Sequence, residues 1–161
     1  MTMRQMDFVQ TRRPALRGFT LLELMIVVGV IGILFMLAYP SYVEQVAKGH
    51  RTDLKTQMVA AQQWLERHYS ANYFYGTDSS DDVANTAFDA QPFVRSPQQG
   101  RVQYTLSVKV ENRGQTYTLT AERAPDGSMA SDACGNLSVT NTGVRAVSNA
   151  TRSDALSSCW N

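Results

Sequence analysis

A carboxylate and a prospective amine sit one helical turn apart near the start of the chain. Glu23 is the sole charge within Phe19–Tyr39, FTLLELMIVVGVIGILFMLAY, an otherwise apolar run. An acidic side chain inside a membrane span costs on the order of 3 kcal/mol and marks a function with a partner nearby. No Lys or Arg lies on its helix face, because the next basic residue along the chain is Lys48. Proteolysis would supply a cation. A cut after Gly18 frees the α-amino group of Phe19, four residues before Glu23 and on the same helix face. Glycine at the cut position offers a protease an unhindered backbone. The chemistry favoured by these spacings is cleavage of this chain by another enzyme, followed by amine–carboxylate pairing within one chain or between two.

The remaining reactive residues do not assemble into catalysis. His50 and His68 fall on one expected helix about 27 Å apart along its axis, too far to share a metal or a proton. Asp126, Asp132 and Asp154 fit no calcium-loop spacing and read as solvated loop charges. No glycine-rich phosphate loop, nucleophile elbow or close carboxylate pair occurs. The expectation is a chain with no catalytic residue, no metal and no cofactor, and so not an enzyme. Cys134 and Cys159 are the two cysteines. Alone they cannot build a four-ligand zinc site. In an oxidising compartment they would pair, and in a cytosol both would stay reduced. Location decides.

As a helix the apolar run is roughly 30 Å long, the thickness of a bilayer's hydrocarbon core. Arg4, Arg12, Arg13 and Arg17 precede it against Asp7 alone. That bias keeps the N-terminus cytoplasmic and sends everything after Pro40 across the membrane. A cleavable secretory signal would be shorter and end in small residues, whereas Phe35 or Met36 stands at the −3 position. The formal charge of the whole chain is +1. Since the basic residues concentrate in the leader, the rest is mildly acidic, without the broad basic surplus of a general nucleic-acid binder.

Gly18-Phe19-Thr20-Leu21-Leu22-Glu23-Leu24-Met25, with a basic leader before it and the apolar run behind, resembles the processing site of the type IV prepilin family. Cys134-Gly135 and Cys159-Trp160 resemble the C-terminal segment of that family's pilin-like minor subunits. The resemblance implies an inner-membrane aspartyl prepilin peptidase that cuts between Gly18 and Phe19 and N-methylates Phe19. It implies that Glu23 neutralises the Phe19 amine of a neighbouring subunit while the helices pack into a fibre core. It implies an oxidised Cys134–Cys159 pair on an exported head, first periplasmic and later extracellular. Met1, Met3 and Met6 are alternative starts for the leader.

The elements that must position these residues follow from periodicity. Gly29, Gly32 and Pro40 interrupt the first half of the helix, each interior glycine costing about 0.5–1 kcal/mol relative to alanine. Pro40 removes the hydrogen bond to the Met36 carbonyl. In the family, the stretch between the positions of Gly32 and Pro40 can lose helicity in the fibre and make it extensible. Beyond Ser41 the helix continues amphipathically to about residue 70. Leu54, Met58, Ala61 and Leu65 form its apolar stripe, with Glu44, Lys48, Arg51, Lys55, Glu66 and Arg67 on other faces. Residues 71–100 are polar and turn-rich and read as a loop with one short helical turn. Alternation then predicts strands at 102–110, 116–121, 135–140 and 144–147. The predicted fold is α+β, an antiparallel sheet packed on the long helix. Its segments are a leader 1–18, a transmembrane and assembly half-helix 19–40, an amphipathic half-helix 41–70, a loop 71–100, and the sheet with its cysteine-bounded segment 101–161. Pairing Cys134 with Cys159 would close 26 residues and stabilise this small head by roughly 3–3.5 kcal/mol.

The leading expectation is a structural subunit, a minor pilin partnered by other pilins through the N-terminal helix, acting in pilus biogenesis, twitching motility or adhesion. A rival is a DNA-binding minor pilin for natural transformation, drawing on Arg95, Arg101, Arg113, Arg123, Arg145 and Arg152. A third is a pseudopilin of the type II secretion machinery, against which the cysteine-bounded C-terminal segment argues.

Overall fold

A computed structural model describes residues 18–76 and 86–160. The basic leader before Gly18 and the acidic centre of the 71–100 loop lie outside the described residues. Contacts divide the chain into two units, Met1–Ser41 and Tyr42–Asn161. Helix α1 (Leu21–Asn72) begins in the first and ends in the second.

In the first unit, the hydroxyl Oγ1 of Thr20 accepts a hydrogen bond from the Glu23 backbone N–H at 3.2 Å. This satisfies one of the donors that every helix start leaves open. The following side chains are apolar on all faces. The most apolar 18-residue window of α1 has a mean hydropathy of 2.7 and is wholly exposed. A helix apolar all round belongs in lipid or inside a bundle. The helix runs through Pro40 without a break.

The second unit is a helix laid on a sheet. Leu54, Met58, Ala61 and Leu65 of α1 are essentially inaccessible, so the three- and four-residue spacing does form its core face. Five antiparallel strands follow in the order β1-β2-β3-β4-β5: β1 (Arg95–Ser96), β2 (Tyr104–Glu111), β3 (Thr116–Arg123), β4 (Asn136–Thr140) and β5 (Arg145–Ser148). Register stacks Leu106 on Ala121 and Leu137, and Val108 on Leu119 and Val139. Alternation thus puts one apolar row inward and leaves Thr105, Ser107 and Lys109 exposed. Asn112, Arg113 and Gly114 all take left-handed backbone angles in the β2–β3 turn.

The sequence reading located β2 to β5 within two residues at each end. It did not locate α2 (Thr86–Asp89), the 3₁₀ turn Pro92–Val94, strand β1 or α3 (Ala155–Trp160). These pieces are too short for periodicity to register. They are held instead by tertiary contacts, such as Trp64 with Phe88 at 5.9 Å and Phe88 with Phe93 at 5.2 Å.

Two charged residues depart from expectation. Arg51, assigned to a solvent face of α1, is 3% exposed. Asp132, read as a solvated loop charge, has a side chain 6% exposed. They pair with each other. A guanidinium and a carboxylate that meet in two hydrogen bonds can be buried together where neither could be buried alone.

Candidate functional site

Gly18, Phe19, Thr20 and Glu23 line one open recess at the start of α1. Phe19 is 82% exposed. The Leu24 N–H donates to the Thr20 carbonyl at 3.2 Å, so the first turn closes directly over this recess. Glu23 lies in that turn, where a carboxylate faces the positive end of the helix dipole. Thr20-x-x-Glu23 is also the spacing of a capping box, a signal present in the sequence that the first reading passed over. Among the described residues the carboxylate has no ion-pair partner. It can take a cation brought by another group.

Gly29 and Gly32 have open space where a β-carbon would go. Nothing within the chain itself requires glycine at either position. Pro40 lies inside the same helix.

At the other end of the chain, Cys134 and Cys159 form a disulfide with their Cα atoms 5.9 Å apart. Both are buried. Gly135 has φ +69°, and an added β-carbon would lie 2.2 Å from the Ser148 carbonyl oxygen, so only glycine fits beside the half-cystine. The α3 helix that carries Cys159 is fastened to β5 by Trp160, whose indole N–H donates to the Ala146 carbonyl at 3.1 Å. The Arg145 guanidinium lies 5.2 Å above the centre of the same indole.

The Arg51–Asp132 pair links α1 to the loop just before Cys134. Nη2 donates to Oδ1 at 2.9 Å and Nε to Oδ2 at 3.1 Å. Glu44 accepts a third bond from Arg51 at 3.3 Å, and the Tyr104 hydroxyl donates to Asp132 Oδ2 at 3.3 Å. Burial alone would pull the Arg51 pKa down, but the hydrogen bonds and charge of Asp132, then Glu44, leave it raised. Burial, then the Asp132 charge, pushes the Tyr104 phenol up. Burial, then the charge of Glu66, pushes Tyr75 up to about 12.

The arginines considered for polyanion binding are mostly engaged within the head. Arg101 donates to the Asp126 carbonyl, and Arg123 to the carbonyls of Asp132 and Asn149. Arg152 pairs with Asp154 at 3.2 Å and Glu44 at 3.9 Å. His68 Nε2 lies 2.9 Å from the Gly76 carbonyl while its ring stacks on Trp64 at 5.1 Å. Among the described residues, no three His, Cys, Asp or Glu side chains converge as a metal site.

Comparison with known proteins adds a family. The profile described as "Type IV minor pilin ComP, DNA uptake sequence receptor" matches residues 40–138, and that of the prokaryotic N-terminal methylation motif matches residues 14–39. The chain is 39% identical over 74 residues to the type IV major pilin protein PilA of Myxococcus xanthus, covering 45% of this chain and 30% of that protein. It is 44% identical over 46 residues to the type IV major alpha-pilin of Moraxella bovis, covering 29% of each. The alignments thus span less than a third of either relative's length. A solved type IV pilin from Shewanella oneidensis is 26% identical, with a TM-score of 0.42 over 66% of this chain and 97% of that one.

Proposed function

The chain belongs to the type IV minor pilin family whose description names a DNA uptake sequence receptor, and on that premise we propose that it is a minor subunit of a type IV pilus. Members of this family are structural subunits, not enzymes. The observation that carries the reading is the exposed, wholly apolar start of α1 with Gly18-Phe19 before it and Glu23 in its first turn. So much apolar surface needs lipid or other helices around it. Before assembly, α1 anchors the chain in the inner membrane with its N-terminus cytoplasmic and the disulfide-bonded head periplasmic. Prepilin peptidase then removes residues 1–18 and methylates the Phe19 amine. In the extracellular fibre, Glu23 pairs with the Phe19 amine of a neighbouring subunit. Gly29, Gly32 and Pro40 mark where α1 can loosen when the fibre is stretched.

Mass spectrometry of the N-terminal peptide from pili and from inner membranes tests this. N-methylated Phe19 is the expected first residue, and any other mature terminus refutes the processing step. A second reading, direct capture of DNA by the head, is favoured by the description of the matched family. It requires binding of duplex DNA that weakens steeply with salt.

A further inference from the structure

A single stripe of α1 runs Lys48, Thr52, Lys55, Val59, Gln62 at alternating four- and three-residue steps, and it borders two adjoining recesses. The first, about 160 Å³, is closed on its far side by the β4–β5 turn and α3 through Val139, Gly143, Arg145 and Trp160. The second, about 180 Å³, is bounded by Ser158 and Cys159 of α3. Lys55 lines both, which makes them one trough. Four basic side chains border it, Lys48, Arg51, Lys55 and Arg145, and its described lining holds no carboxylate.

Arg51 is committed to Asp132 and Glu44, so the cations directed at the trough are Lys48, Lys55 and Arg145. They crowd one another. Burial, then the charges of Arg145 and Arg51, lowers the Lys55 pKa. An anion entering here relieves that repulsion, and one anion cannot serve the whole length. Lys48 and Lys55 are seven residues apart on α1, about 10 Å along the axis. That distance spans about three nucleotide steps of a strand that carries one phosphate per 3.4 Å of rise. A basic groove with an aromatic wall is the usual architecture for following a phosphodiester backbone. Here the wall is Trp160, its ring held by the bond to Ala146 and overlain by Arg145.

We propose that this trough between α1, the β4–β5 turn and α3 is a phosphate-contact track for DNA, with Lys48, Lys55 and Arg145 each engaging the backbone. The proposal rests on the DNA-capture reading and goes further than the family match, which ends at residue 138. One wall of the track, Arg145 and Trp160, is built from chain beyond the matched residues. The disulfide and Trp160 therefore act as binding elements as well as staples, because they hold α3 in place as that wall.

The test uses the full-length chain in detergent micelles and a fluorescently labelled duplex, read by anisotropy at 50 and 200 mM salt. Each phosphate contact contributes about 0.9 to the slope of log affinity against log salt. Lys55→Gln with Arg145→Gln should weaken binding on the order of 100-fold at 50 mM but only about tenfold at 200 mM. Lys109→Gln, on the exposed face of β2, should change neither value. Lys55→Arg with Arg145→Lys should retain binding, which separates lost charge from lost folding. If the wild type binds and the double Gln variant binds equally well, the track is overturned while DNA capture stands. If the wild type does not bind at 50 mM salt, both fall. If the double Gln variant binds DNA normally but no longer enters pili, the trough faces another subunit and the track is overturned.

Discussion

Replacing Arg51 by Met should unfold the head far more readily than its place on the outer flank of a sequence-drawn helix suggests. An exposed arginine changed to Met would alter stability by no more than about 0.5 kcal/mol. Arg51 is 3% exposed and gives two hydrogen bonds to a carboxylate that is itself 6% exposed. Its loss leaves Asp132 as a buried anion whose only other side-chain donor is the Tyr104 hydroxyl. Breaking a buried pair from one side costs about 3–5 kcal/mol. The Glu44 contact adds little, since Glu44 is 41% exposed. Adding Asp132→Leu removes the stranded charge. The double variant then loses only the partner of Tyr104, about 1–3 kcal/mol, and is more stable than Arg51→Met alone. Guanidinium unfolding of the full chain, followed by the fluorescence of Trp64 between Phe88 and Phe93, measures all three. A loss below about 1 kcal/mol for Arg51→Met, or additive effects in the double variant, would refute the buried-pair reasoning.

Other outcomes follow from the same structure. Reducing the Cys134–Cys159 bond, or Cys134→Ser with Cys159→Ser, should cost about 3.5 kcal/mol by loop entropy, read as a shift in the same unfolding curve. Gly135→Ala should be much more damaging than Gly143→Ala, because both have positive φ but only Gly135 meets a carbonyl oxygen at 2.2 Å; the cost at Gly143 is that of left-handed backbone alone, about 1–2 kcal/mol. Tyr75, Tyr104 and Tyr117 have raised folded-state pKa values, so unfolding would let them ionise more easily. Their contribution is intact below pH 10 and is lost as pH climbs toward 12 and beyond. A phenolate absorbance titration should show late ionisation, coincident with loss of near-ultraviolet dichroism.

How much of this was legible beforehand depends on the range of the interactions. The stripe Leu54–Leu65 and the alternation in β2 and β3 are local signals, and both survive folding because one face of each is buried. The Gly18–Glu23 motif was equally readable, being contiguous. The Arg51–Asp132 pair was not, because its members are 81 residues apart and charge alone gives no hint of burial. The same limit hid the basic trough. A survey of arginines included Arg145 but omitted Lys48 and Lys55, which read as the solvent face of a helix until α3 was seen to pack alongside. Cys134-Gly135 and Cys159-Trp160 could be picked out, yet the need for glycine emerges only when Ser148 is brought against it.

Glu23 deserves a closer energetic comparison, since the capping arrangement offers a purely local reason for it. A carboxylate in the first turn of a helix contributes about 0.3–1 kcal/mol. Thr20 supplies the cap to the Glu23 N–H through its own hydroxyl, whatever the charge at position 23. On the proposed topology this turn lies near the cytoplasmic surface before assembly, where a carboxylate reaches water and the penalty is small. The cost on the order of 3 kcal/mol arises only when neighbouring helices close around it, and there the capping term is too small to offset it. Penalty and counter-ion thus appear at the same moment, when a cleaved Phe19 amine is brought into the bundle. Glu23→Ala should therefore insert into the membrane and fold its head normally but fail to enter pili. Glu23→Gln, which keeps shape and hydrogen bonding without charge, should fail likewise. Normal incorporation of Glu23→Gln would show that the carboxylate serves the helix start alone.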